Sequence, residues 1–314
     1  MKKQVSIFLV SSLIILNLIS CSLNKPVQQG ISNQENTKIQ IVATVFPPYD
    51  FAKAITGNRA ICTLLINPGS DVHSFSPTPE DIIKIQNADV FIYIGNKDDE
   101  WVYSTLGSMD PHKQKIIKLT DYVIPIKKES VENKAKETEP DEHIISFPTN
   151  AILLVDVITK NLCEIDPNNT KLYMKNANSY KSKIQKTDDE IKEMVSKSSD
   201  QILVLGDYFP LRYFVDKFNL IYRAADCEKK STEKGTGTGT LVGLINAVKE
   251  NNIRFVFYVT LNNPKITEEI SEKTEAEMVQ LQSCHNLTRE DFKNGATYLS
   301  IMTQNAAILK KVLK

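Results

Sequence analysis

Between residues 166 and 199 the chain reads DPNNTKLYMKNANSYKSKIQKTDDEIKEMVSKSS, with no glycine and no proline after Pro167. Leu172, Met174, Tyr180, Ile184, Ile191 and Val195 recur at helical spacing within it. This pattern predicts one uninterrupted helix of about 30 residues, roughly 45 Å long. A rod of that length joins the N-terminal part of the chain to the C-terminal part. A single rigid connection also restricts hinge motion more than two or three flexible strands would. The feature therefore calls for two lobes, with the helix (166–199) between them.

Both flanks have the composition of α/β lobes. Before the rod, the apolar runs IQIVATVF (39–46), AICTLLI (60–66), DVFIYIG (89–95) and QKIIKL (114–119) alternate with helical patterns starting near Tyr49, Thr78 and residue 98. After it come QILVLG (201–206), LIYRA (220–224), RFVFYV (254–259) and EMVQLQ (277–282). The last helix, roughly 294–313, carries Tyr298, Ile301, Met302, Ala306 and Leu309 on one face. Strand–helix alternation implies mainly parallel sheets covered by helices. The expected fold class is α/β, with an N-terminal lobe over 38–165 and a C-terminal lobe over 200–314. Residues 127–142 are charged and read as a solvated loop. Residues 228–240 read as a glycine–threonine loop without a phosphate-cradle pattern.

The start of the chain has a different character. Two lysines precede a short apolar run that ends at Leu18-Ile19-Ser20-Cys21. A charged start, a short apolar core and a small residue before the break are the marks of a secretory signal, here 1–20. Ser11, Ser12 and Asn17 break the run, which is shorter than the ~20 apolar residues a spanning helix needs. Leu-Ile-Ser-Cys resembles the bacterial lipobox, which makes Cys21 the expected lipidated residue. Residues 21–37 are polar and aperiodic, as a flexible tether should be. Lysine plus arginine equals aspartate plus glutamate, 38 of each, so no strong field points to nucleic acid or an anionic surface. Cysteines 62, 163, 227 and 284 remain in the mature chain with no CxxC zinc spacing. Cys227 and Cys284 could be a disulfide or two separate thiols.

The placement of the four histidines is informative. In open parallel sheets, ligands bind beyond the carboxyl ends of the strands. His73 follows strand 60–66, His143 lies between strand 114–119 and a helical run near Thr149, and His285 follows strand 277–282. His112 precedes a strand and is assigned to the surface. Two histidines from the first lobe and one from the second suit a metal held between them. Asp207, just past strand 201–206, is the expected fourth ligand, though a helix N-cap serves it equally well. Cys284 is the alternative ligand. Asp141 and Glu142 either face solvent or orient the His143 imidazole, with Glu142 the expected orienting group.

GSDVHSFSPTPEDI, DEHIISFPTNA, GDYFPLRYFVDKFNL and LQSCHNLTREDFKNGATYLSIMTQN together resemble the bacterial solute-binding proteins of zinc and manganese ABC transporters, of the cluster A-I type. The resemblance spans about 39–314. It implies two α/β lobes joined by a long helix, a metal in the cleft, and delivery to a membrane permease. The chain departs from that pattern in three places. Asp207 stands where many members have histidine or glutamate in the third ligand region. No acidic residue lies near Cys284 or His285, and residues 120–142 contain no histidine.

The expected function is capture of one divalent ion by His73, His143, Asp207 and His285, by a monomer that catalyses nothing. Three nitrogens and a carboxylate suit zinc best, with manganese next because it prefers more oxygen. Pro77 and Pro79 are expected to stiffen the His73 loop. A zinc hydrolase and a lipoprotein adhesin are the alternative functions.

Overall fold

The computed structural model describes residues 38–313 apart from 108, 111, 127–140, 142, 199–201, 207–209, 226–237, 260 and 262. Expectations about residues 1–37, including the signal, Cys21 and the tether, lie outside the described residues, as do those about Asp207, Glu142 and Cys227.

Two four-stranded sheets share one topology. The first contains β1 (Ile39–Ala43), β2 (Ala60–Leu64), β3 (Val90–Tyr93) and β4 (Lys115–Lys118), in the order β2-β1-β3-β4. The second contains β5 (Ile202–Leu205), β6 (Ile221–Ala224), β7 (Phe255–Val259) and β8 (Glu277–Leu281), in the order β6-β5-β7-β8. Every pairing is parallel, for instance Ile41↔Cys62 and Ile92↔Ile117 in the first sheet and Phe257↔Val279 in the second. Parallel pairing forces crossovers, and helices supply them: α1 (Phe46–Thr56), α2 (Pro79–Gln86), α3 (Glu100–Leu106), then α4 (Pro148–Ile165) after the sheet.

The inner strands β3, β5 and β7 are apolar along their whole length because both faces are covered, whereas the edge strands β4, β6 and β8 carry Lys115, Lys118, Arg223, Glu277 and Gln280. In β3, Val90 and Ile92 point into the central core, while Phe91 and Tyr93 point into a second cluster with Ile85 and Val102. In β5, Leu203 and Leu205 face the central core and Val204 faces a third cluster with Val256 and Ile270. The central core is continuous across both sheets.

A 3-10 turn, Pro167–Asn169, leads into α5 (Thr170–Lys197), an unbroken 28-residue helix. At 1.5 Å per residue it is about 42 Å long. It is more than a connecting rod, because it packs against α1 and α4 of the first lobe and against α10 (Tyr298–Val312) of the second. Its buried stripe runs Tyr173, Ala177, Ile184, Asp188 and Ile191. The expected stripe through Leu172 and Met174 is off by one position, and Met174 is 53% exposed. The physical reason is periodicity: at about 100° per residue Tyr173 lies within about 20° of Ile184 around the helix, whereas Met174 is about 80° and Leu172 about 120° away.

The second lobe adds α6 (Arg212–Phe218), α7 (Thr238–Glu250), α8 (Lys265–Thr274) and α9 (Arg289–Lys293). Here too the sequence boundaries shift. Helix α7 begins at Thr238, inside the stretch expected to be irregular up to 240, and α1 begins at Phe46 with prolines in its first turn. Proline is tolerated there because the first-turn N–H groups have no helical partner. Among the described residues, no helix is long and apolar enough to cross a membrane.

Candidate metal centre

His73 sits in the β2–α2 connection, where several local devices fix the backbone. Asp71 Oδ1 accepts a hydrogen bond from the His73 amide at 3.0 Å. Downstream, Thr78 caps α2: its Oγ1 accepts from the Asp81 amide, and the Asp81 carboxylate accepts from the Thr78 amide. Pro79 occupies the first turn of that helix. The loop is therefore anchored on both sides of His73, which remains exposed.

His143 is buried, 5% exposed, and follows β4 in chain order, with residues 127–140 between them outside the described residues. Asp141 Oδ1 accepts from the His143 amide at 2.7 Å and lies 2.9 Å from Nδ1 of the same residue. Asp141 is thus buried rather than solvated. A carboxylate on Nδ1 selects the tautomer with the proton there and leaves Nε2 as the donor atom for a metal. Tyr213 of α6 donates its hydroxyl to the Asp141 carbonyl at 3.3 Å and accepts from the Ile126 amide, so the second lobe is bonded to the backbone at both residues. Phe147, Phe214 and Phe218 pack edge to face beside it.

His285 follows β8, which places it in its sheet where His143 stands in the first: after the fourth strand. Between β8 and His285, the chain turns through Cys284, whose φ is +61°. This left-handed residue breaks the strand alternation. Cys284 points into the core, fully buried, and His285 points to the cleft, half-buried. Burial drives the Cys284 thiol well above its ordinary range, with the Asp50 charge adding to the effect. Cys284 is a free thiol and is not among the groups that converge with the histidines. As an alternative ligand it is misplaced, since a buried thiol resists becoming the thiolate that metals bind.

The three imidazoles meet. One nitrogen from each of His73, His143 and His285 lies within 4.8 Å of the others. Their ring centroids are 6.3 Å (73–143), 5.7 Å (73–285) and 5.3 Å (143–285) apart. His112 is elsewhere and exposed. Tetrahedral zinc with Zn–N bonds near 2.05 Å needs nitrogens about 3.3 Å apart, within reach of small side-chain rotations. Asp207 lies outside the described residues, but its predecessor does not. At Gly206 an added Cβ would fall 2.2 Å from Thr267 Oγ1 and 2.5 Å from the Thr267 amide. Only glycine lets the end of β5 pass that close to α8.

One signal in the sequence goes beyond the positions of the histidines themselves. Each converging histidine follows, two residues behind, a side chain that accepts its backbone N–H: Asp71, Asp141 and, at 3.4 Å, Ser283. The same turn occurs at Asp110 and the exposed His112, so it marks a held histidine, not a ligand.

Comparison with known proteins identifies the family. The family model ZnuA, described as zinc-uptake complex component A, periplasmic, matches residues 41–312. The chain is 28% identical over 320 residues to the zinc-binding lipoprotein AdcA of Streptococcus pneumoniae (strain ATCC BAA-255 / R6), covering 98% of this chain and 61% of AdcA. It thus spans about three-fifths of that relative's length. With the high-affinity zinc uptake system protein ZnuA of Bacillus subtilis (strain 168) it shares 25% identity over 324 residues, which covers 99% of this chain and 98% of the relative. The crystal structure of the Zn(II)-bound ZnuA-like domain of Streptococcus pneumoniae AdcA superposes with a TM-score of 0.73 at 28% identity, over 88% of this chain and 99% of that domain. On the breadth of the family match, the chain belongs to the ZnuA family of periplasmic zinc-uptake components.

Proposed function

We propose that this protein captures a divalent transition-metal ion outside the cytoplasm and hands it to an ABC permease for import. Zinc is the favoured cargo and manganese the next. The observation that carries this reading is the meeting of His73, His143 and His285 in one crevice, drawn from loops at the carboxyl ends of strands in both sheets. Neutral imidazoles favour zinc over calcium or magnesium, and Asp207 as a fourth, oxygen ligand would complete a tetrahedral set. Membership of a zinc-uptake family supports transport over catalysis, and so does the name of the Bacillus subtilis relative. We assign no reaction to the site.

Capture follows from the arrangement. His143 waits at depth with its tautomer set by Asp141, and the exposed His73 meets the incoming ion first. Because the ligand loops are held before the ion arrives, little conformational entropy is lost on binding. Imidazole must be neutral to ligate, so affinity falls in acid. The reading extends to a monomer of two lobes, 38–165 and 200–314, around the 166–199 helix. It is exported by the 1–20 segment and tethered to a bacterial membrane through lipidated Cys21 and residues 21–37.

Metal content and affinity of the mature chain test the reading. We expect one zinc per chain, and we expect His73→Ala, His143→Ala and His285→Ala each to weaken binding by at least about 100-fold, each loss removing one of four ligands. Asp207→Asn with unchanged affinity would remove that residue from the set. A wild-type chain that takes up no metal would end the proposal.

A further inference from the structure

Away from the imidazoles, the two lobes meet at a second place beside the cleft. Residues 67–70, Asn-Pro-Gly-Ser, form a turn closed by the Ser70 amide donating to the Asn67 carbonyl at 3.1 Å. This turn belongs to the first lobe and ends three residues before His73. Opposite it lies the second-lobe segment 286–289, which starts one residue after His285.

The two segments are hydrogen-bonded to each other. The Gly69 amide donates to the Leu287 carbonyl at 2.8 Å. Asn286 donates its side-chain amide to the Ser70 carbonyl at 2.7 Å and to the Asn67 carbonyl at 3.2 Å. Its Oδ1 accepts from the Leu287 amide at 2.8 Å, so the carboxamide cannot rotate without losing a partner. Arg289 adds a bond from Nε to the Pro68 carbonyl at 3.3 Å. Asn286 is 8% exposed, and hydrogen bonds away from water stand out above the exposed kind. Gly69 has φ +78°, a backbone conformation that favours glycine, and an added Cβ would also lie 3.3 Å from the Arg289 side chain.

We propose that Asn286 is a positioning residue for metal capture. Its carboxamide straps the loop that carries His73 to the turn that carries His285, setting the separation of these two imidazoles through bonds that involve neither of them. The inference rests on the metal-capture reading and adds to it a division of labour. His73 and His285 are held to each other by the strap, while His143 is held separately by Asp141 and Tyr213. An ion is then released by loss of the strap, with no need for the lobes to separate as whole bodies.

The test is Asn286→Asp, which keeps the shape but turns a donor into an oxygen facing two carbonyls. Zinc affinity is measured by competition with a chromophoric chelator and zinc release by stopped flow, with circular dichroism to verify folding. We expect affinity to fall about 10-fold or more, with most of the change in the release rate. The same substitution in a His73→Ala background should cost almost nothing further, because there is no longer a His73–His285 distance to maintain. General destabilisation would cost the same in both backgrounds. If Asn286→Asp fails to fold, Arg289→Ala removes an exposed strand of the same strap and should speed release about 2–3-fold, as loss of one weak hydrogen bond would. Unchanged zinc release in whichever of these variants folds, or an equal loss with and without His73, overturns the strap and leaves metal capture standing. A wild-type chain that binds no zinc overturns both.

Discussion

At the residue scale, the proposed metal site depends on groups outside its ligand set. Asp141 is buried and holds His143 twice, through its amide and through Nδ1. Removing such a partner releases both the tautomer and the ring orientation. Asp141→Ala should therefore weaken zinc binding about 10–100-fold, measured by chelator competition. Cys284 provides the contrasting case. Its φ of +61° and complete burial set the turn between β8 and His285 and keep its sulfur out of the converging group. Cys284→Ala should leave zinc affinity unchanged while lowering stability by about 1–2 kcal/mol through lost packing; a large loss of affinity would restore it as a ligand. Asp141 was, with Glu142, a candidate in the sequence for orienting His143, but nothing there singled out either it or Asp71, because Asp110 and His112 make the same turn on the open surface.

At the element scale, the cleft is assembled by helix and strand ends. Helix α2 begins with a capping box at Thr78, and α10 begins with one at Thr297. Both are first turns whose N–H groups would otherwise lack partners. Thr78→Ala should cost about 1 kcal/mol of stability in urea denaturation. It should also weaken zinc binding, since that cap anchors the downstream side of the His73 loop. Thr297→Ala should cost stability alone. The strand–helix order of both lobes could be read from the sequence, as could the helix starts at Thr78 and near Thr149. The start of α1 at Phe46 and the Thr238 start of α7 could not. Prolines in a first turn and glycines in a helix look like loop residues until packing selects the helix.

At the scale of the whole molecule, Asp50 links three parts of the chain. Carried on α1, its carboxylate accepts from the Tyr180 hydroxyl of α5 at 2.6 Å and from the Tyr298 amide at the start of α10 at 2.9 Å. Tyr298 in turn donates its hydroxyl to the Ile145 carbonyl, two residues past His143. Burial pushes the Asp50 carboxyl above its ordinary value of 3.8, more than the bonds from Tyr180 and Tyr298 and the Lys53 charge pull it down. A raised folded-state pKa means that the folded state binds the proton more tightly than the unfolded one. Stability from this group is therefore greatest in acid and declines as pH rises from about 3.8 through the folded value. Asp50→Asn should flatten that decline, seen as a smaller stability difference between about pH 4 and pH 7 in urea titrations. The brace formed by α5 carries a further expectation. Zinc-free and zinc-loaded protein should have the same radius of gyration by solution scattering, because α5 packs on both lobes and resists a wide opening.

The sequence alone was enough for the α/β class, the two lobes, the long helix and the candidacy of three histidines. Each of these follows from periodicity, chain order or the rule that ligand loops follow strands, and all are local properties. Tertiary structure decided the rest. Asn286 reaches Ser70 across 216 residues of chain, and Asp50 reaches Tyr298 across 248. Cys284 and His285, adjacent in sequence, went to opposite sides of the same turn. Which polar group is buried against which carbonyl depends on how two separately patterned lobes pack together, and no spacing within either lobe encodes that.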